Sequence, residues 1–239
     1  MLRGLYAAAT GMEAAANAHE VTSRNLAHAS VPGFRKMLTT FEAMQNPHGD
    51  TPEEHLAGTS VKAPATDFTA GPLNRTGAPL DLAINGDGFF VVNGPDGPLY
   101  TRSGTFEVDG QGQVTTPDGL PVKTASGTLT IPPNSPISEL VVAADGTVRI
   151  GKEELGQLDI RRFDDPQALQ SVGATLYAAP PELVAQQSTA RVVQGVREMS
   201  NVSPVSELVN LIAAQRHYEM SQKAATSMDR AAQKRIDLN

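Results

Sequence analysis

Five histidines (His19, His28, His48, His55 and His217) and a scatter of carboxylates are the side chains that could do chemistry in this chain. Their spacing does not assemble it. His19-Glu20 would open a zinc-protease HExxH pair, but the second histidine is missing. Gly86 and Gly88 begin a string like a dinucleotide-binding loop, without its third glycine or the helix that would aim its N-terminus at a pyrophosphate. There is no phosphate-binding Walker loop and no Gly-x-Ser-x-Gly elbow, and Ser103-Gly104 reads as a hairpin element. The absence of cysteine removes disulfides, thiolate metal sites and Cys nucleophiles. Asp81, Asp87, Asp109 and Asp118 each fall at a strand end or turn, where a carboxylate ordinarily serves the turn itself. The reading is therefore no catalytic residue, no cofactor and no metal site. Asp81 and Asp87 are the acid/base pair of the enzyme alternative, a secreted β-domain hydrolase acting on cell wall.

Composition narrows the remaining classes. A formal charge of -7 over 239 residues opposes phosphate-backbone binding as the main task. Aromatic residues make up 5% with no tryptophan, which leaves few stacking platforms for bases or sugars. The expectation is no nucleic acid and no small-molecule substrate. No apolar run approaches the roughly 20 residues of a membrane-spanning helix. Leu2–Ala18 is interrupted by Thr10, Gly11, Glu13 and Asn17, so it reads as mature structure and not as a Sec signal; if the protein leaves the cytoplasm, it uses another route.

The elements that must carry any function lie at the two ends. Residues 2–28 are Ala-rich, and Leu2, Leu5, Ala9, Met12, Ala16, His19, Ser23 and Leu26 recur at three- and four-residue steps, a sparse heptad seam. Beside it runs a stripe of small residues: Ala7, Gly11, Ala14 and Ala18. Pro32-Gly33 stops the segment. Residues 205–236 form the second helical stretch. Ser203 suits the cap and Pro204 the first helical position, while Glu207 stands near the positive end of the dipole. Its apolar row runs Val205, Leu208, Val209, Ile212, then Met220, Ala224 and Met228. Both helices are too thinly apolar to pair strongly alone, so they are expected to be loose until neighbours order them.

Between them the pattern changes. Seven Asx-Gly pairs, from Asn85-Gly86 to Asp145-Gly146, punctuate short β-prone runs and predict tight turns with positive φ. Gly88–Asn93, Pro98–Thr101, Thr105–Asp109 and Gln113–Thr116 read as strands. Phe89, Val91, Tyr100, Phe106 and Val108 are the core candidates. Leu155–Phe163 reads as one further strand, Pro166–Val172 as a helical turn, and 31–66 and 180–200 as polar extended connectors. The fold class is α+β. Long terminal helices pair as a helical bundle or coiled coil, and the centre is antiparallel and β-rich. The divisions are 1–30 and 203–239 for the helical domain, 31–66 and 181–202 for linkers, and 67–180 for the β-rich domain.

Five stretches resemble the axial proteins of the bacterial flagellum, the rod and hook subunits. LRGLYAAATGMEAAANAHEVTSRNLAHASVPGF (2–34) is similar to the N-terminal signature, through Asn25, Leu26, Ala27, Gly33 and Phe34. LDLAINGDGFFVV (80–92) with LYTRSGTFEVDGQGQV (99–114), and GQLDIRRFDDPQALQSVGATLY (156–177), resemble the β-domain motifs. SNVSPVSELVNLIAAQRHYEM (200–220) resembles the C-terminal signature, through Ser200, Asn201, Val202, Glu207, Val209, Gln215, Arg216, Tyr218 and Glu219. The 67–84 stretch and the short connector after Phe41 are closer to the proximal-rod form, with the distal-rod form next.

The resemblance implies a structural subunit that assembles head-to-tail with copies of itself and other flagellar rod proteins, after passage through the flagellar export apparatus. It would form a helical tube in the periplasm that transmits torque and encloses the export channel. Interface positions are then Leu5, Met12, Leu26, Leu208, Ile212, Arg216 and Tyr218. A periplasmic binding module whose terminal helices pack on its own core is the remaining alternative.

Overall fold

A computed structural model describes residues 2–45 and 56–236; His48 and His55 lie outside them. The chain divides into two compact units. The first comprises residues 1–29, 36–67 and 202–239, and the second residues 30–35 and 68–201.

In the first unit, α1 (Leu2–Ala27) and α2 (Pro204–Ile236) run antiparallel. Gly4 lies beside Met228, Gly11 beside Ser221, and Asn25 bonds Glu207. The glycines are where the helices close in. A Cβ on Gly11 would stand 3.0 Å from the Ser221 hydroxyl, and one on Gly4 2.7 Å from the Met228 sulfur. The face that α1 turns into the unit is the row Gly4, Ala8, Gly11, Ala15, Ala18, Thr22 and Asn25, all buried or half-buried. The row with the larger apolar residues is turned away from it, with Leu5, Ala9 and Ala16 exposed and Met12 half-buried. Small side chains win the inner face because they let two backbones approach. The seam read from the sequence is therefore left outside.

The stretch 31–66, read as an extended connector, contains an antiparallel hairpin, Phe41–Gln45 with Leu56–Val61. A short second pair, Met37–Leu38 with Ala65–Thr66, also lies within it. The hairpin meets α1 where the Thr10 hydroxyl accepts the Thr59 N–H at 3.5 Å.

The second unit is built on a six-stranded antiparallel sheet. Its spatial order is Gln170–Ser171, Leu176–Ala178, Gly97–Thr101, Phe89–Gly94, Ile160–Arg162, Gln186–Gln187. Phe89-Phe90-Val91-Val92 is buried without alternation because both faces of the sheet are covered. Phe90 and Val92 join Phe106, Val114, Val122 and Val148 in the larger core. Phe89 and Val91 join Tyr100, Phe163, Leu169 and Tyr177 on the other face. There Tyr100 and Phe163 meet edge-to-face at 4.8 Å, the arrangement aromatic rings prefer. Four of the five core candidates are buried and Val108 packs on the edge of the larger cluster.

Three sequence readings are corrected. Leu155–Phe163 is two strands in different sheets, Glu153–Gln157 and Ile160–Arg162, broken where Leu158 N–H turns to the Gly146 carbonyl. The 180–200 connector contains Arg191–Gln194, paired with Leu82–Asn85, and Val196–Glu198, paired with Leu73–Arg75. Of the seven Asx-Gly glycines, those at 86, 97, 119 and 146 take positive φ, while 88, 94 and 110 do not.

Candidate assembly interface

The helix pair is organised by a buried carboxylate. Glu207, in the first turn of α2, is 1% exposed. Lys36 Nζ sits 2.6 Å from its Oε1, and Asn25 Nδ2 donates to its Oε2 at 3.3 Å. Asn25 is itself fixed at both ends of its amide. Its Nδ2 donates to the Met37 carbonyl at 2.9 Å and its Oδ1 accepts the Met37 N–H at 2.8 Å. One node thus ties the end of α1, the chain just after it and the start of α2. A buried carboxylate is costly unless paired and hydrogen-bonded, and here it is both. Over it opens a groove of about 350 Å³, lined by Lys36, Leu38, Ala213 and His217 among others. The sequence reading placed Glu207 near the helix dipole and Asn25 and Glu207 in separate signatures; their pairing spans 182 positions, which no local pattern announces.

A second buried cluster lies in the β-rich unit. Arg35 Nη2 stands 2.6 Å from Glu198 Oε1, Arg102 Nη1 3.7 Å from its Oε2, and the Gly71 N–H donates to Oε1 at 3.0 Å. Arg102 also donates to the Gly86 carbonyl and lies over the Phe89 ring at 5.3 Å. Burial lowers the Arg102 pKa, and the Glu198 carboxylate opposes that shift. This cluster fastens residues 30–35 to the sheet. Beside it Gly33, at φ 73°, has no room for a side chain: a Cβ would stand 2.2 Å from the Ser103 nitrogen.

The two carboxylates of the hydrolase alternative sit in different surroundings. Asp81 is buried and committed to Arg197 at 2.8 Å and to the Thr76 hydroxyl. Asp87 is exposed on the turn before Phe89. Among the described residues no group of three or more His, Cys, Asp or Glu could hold a metal ion, and no helix is long and apolar enough to cross a membrane.

The seven interface positions read from the sequence are spread along the helix pair. Leu26 and Leu208 lie toward one end, and Met12 and Leu5 successively toward the other. Leu5, Leu208, Ile212, Arg216 and Tyr218 are exposed, while Met12 and Leu26 are half-buried. On α2, Val205, Val209 and Met220 extend the exposed apolar surface, Val209 at 62% and Ile212 at 53%. A β-unit with a finished core, carried with a helix pair that keeps its larger apolar residues outside, is the build of an assembly protein.

Comparison with known proteins is in accord. The family described as "Flagellar hook protein FlgE/F/G D1 domain" matches residues 83–150. "Flagellar basal body rod FlgEFG protein C-terminal" matches residues 193–238. The flagellar basal-body rod protein FlgG of Buchnera aphidicola subsp. Acyrthosiphon pisum is 34% identical, covering 98% of each chain. FlgF of Salmonella typhimurium is 34% identical over 96% of this chain and 95% of its own. FlgG of Bacillus subtilis is 31% identical over 100% and 99%. The chain belongs to the flagellar basal-body rod protein family and is a structural rod subunit.

Proposed function

We propose that the chain is a proximal-rod subunit whose α1 and α2 form a coiled-coil wall element of a helical tube, with 67–180 as its outer domain. The tube transmits torque across the periplasm and encloses the export channel through which the subunits themselves arrive. Head-to-tail contacts with copies of the chain and with other rod proteins run along the exposed seam: Leu5, Met12, Leu26, Leu208, Ile212, Arg216 and Tyr218. The proximal assignment draws support from alignment length. The Salmonella FlgF alignment spans 246 positions against 261 for the Buchnera FlgG, so this chain of 239 residues needs fewer gaps against the former.

The observation that carries the reading is the outward placement of Leu208, Val209 and Ile212 on a helix whose inner face holds Glu207, Ala214 and Ser221. Full burial of each such aliphatic side chain stabilises by about 1.5–3 kcal/mol. Most of what α2 can gain therefore lies with neighbours, and assembly supplies the ordering free energy that the pair alone lacks. The subunit acts by shape and stiffness, without catalysis. Deleting residues 205–239 tests this. The β-rich unit should keep a cooperative melt while incorporation into rods is lost; a truncated subunit that still builds working rods refutes the reading.

A further inference from the structure

Two charged rows on the helix pair have no partner across the pair. On α1, Glu13 and Glu20 are exposed and seven residues apart. On α2, Arg216, Lys223 and Arg230 are exposed and repeat at the same interval. Glu20 contacts Arg24 at 2.7 Å, both more than half exposed, a pair of small worth. Among the described residues, Glu13 and the three cations form no ion pair.

Their angular position follows from the buried rows. The inner positions are Gly11 and Ala18 on α1, and Ala214, Ser221 and Met228 on α2. Each charge stands two residues after one of these, about 200° around the helix at 3.6 residues per turn. The acidic row thus points away on the far side of α1 and the basic row on the far side of α2. They cannot meet within one chain. A second copy set alongside brings the acidic row of one against the basic row of the next and leaves one free row at each end. Such contacts are heterologous and open-ended.

The register is also determined. Within the chain, the contacts of Gly4 with Met228, Gly11 with Ser221 and Asn25 with Glu207 place Glu13 level with Glu219. Two copies of the same polarity present α1 of one antiparallel to α2 of the other. A shift of four residues, about 6 Å along the axis, then sets Glu13 against Lys223 and Glu20 against Arg216. The same shift brings Tyr6, itself 48% exposed, opposite Arg230, a pairing that favours a cation over a ring face. Lys223, Arg230 and Lys234 also line a cleft of about 540 Å³, a concave cationic surface for a carboxylate, while the Thr226 and Ser227 hydroxyls beside them donate to the Gln222 and Ala224 carbonyls.

We infer that neighbouring copies of this chain are registered by these rows, α1 of one against α2 of the next, with Glu13–Lys223 and Glu20–Arg216 as the specifying pairs. The inference rests on the rod-subunit reading and deepens it by assigning the contact faces.

Swapping charge tests it. Sedimentation of the purified full chain at low ionic strength compares the natural protein with E13K/E20K, with R216E/K223E/R230E, and with the two variants mixed. Each variant alone should self-associate about tenfold more weakly, because like charges now face each other. The equimolar mixture should regain the natural strength, since each variant's altered row meets its complement on the other. Association of the natural chain should also weaken with added salt. Single variants that associate normally, or a mixture that stays weak, overturn the register. If a reversed chain loses helical signal, E13Q/E20Q and R216Q/K223Q/R230Q replace the single-variant arm alone: each should associate more weakly than the natural chain and with less salt dependence, and normal association by either overturns the register. Reversed chains that still build normal rods in cells overturn the register and leave the rod reading standing. A natural chain absent from isolated basal bodies overturns both.

Discussion

The two units of this chain spend their hydrophobic residues in opposite ways. The β-rich unit hides Phe90, Val92, Val114 and Val148 almost completely and adds an aromatic layer on the second face of its main sheet. The helix unit hides alanines, threonines, Asn25 and Glu207, and leaves Leu5, Leu208, Val209 and Ile212 in solvent. A unit of the first kind is complete when folded. A unit of the second kind is held by close backbone approach and one polar node, with its aliphatic surface still unspent.

The strongest way to probe this contrast is to damage the finished core. Phe90→Ala should cost the β-rich unit about 3–5 kcal/mol, read as a lowered urea midpoint, while helical signal from α1 and α2 changes far less. A comparable loss of helix would mean the units do not fold separately. Next comes the polar node. Glu207→Ala leaves Asn25 and Lys36 without their carboxylate and should cost the helix unit up to about 3 kcal/mol. Hydrogen exchange at the start of α2 would report it, with Phe89–Gly94 unchanged.

A third test uses alkali. Burial pushes the Tyr177 phenol up to about 12, with Arg35 pulling the other way. The folded state holds this proton more tightly than the unfolded chain, whose tyrosine ionises near 10. The contribution is complete below about pH 10 and is lost as pH rises toward 12, on the order of 2 kcal/mol. Tyr177→Phe should flatten the alkaline fall in the melting temperature of the β-rich unit. An unaltered slope would contradict the burial argument. The smallest effect on stability, and the largest contrast with function, is expected for Leu208→Ser with Ile212→Ser. Exposed positions shift stability by about 0.5 kcal/mol or less, yet incorporation into rods should fail.

How much of this is legible in the residues themselves differs between the units. Both helices could be bounded from Pro32-Gly33 and Ser203-Pro204, and the central strand pair from its β-prone runs on either side of a turn. The inner face of α1 was legible only in part: Gly11 and Ala18 belong to the stripe of small residues, whereas Gly4, Ala8 and Thr22 carry little hydrophobic signal. What selects them is the space left by a second helix. The strands Arg191–Gln194 and Val196–Glu198 are also hard to read, since their partners lie more than a hundred residues earlier and the polar residues Arg191, Gln194, Arg197 and Glu198 break up their apolar pattern. The seven proposed interface positions follow from family resemblance and helical period. The charged rows gain meaning only from the buried rows, which define which way each helix faces.

The hydrogen bond from Asn25 to Glu207 closes a loop of 182 positions. Closing it fixes two remote stretches at once, so the node forms late in any folding sequence, after local hairpins. A chain drawn through a narrow passage in single file keeps those stretches apart along its length. On the proposed export route the latch would engage only after both stretches have emerged, and until then the polypeptide would stay threadable.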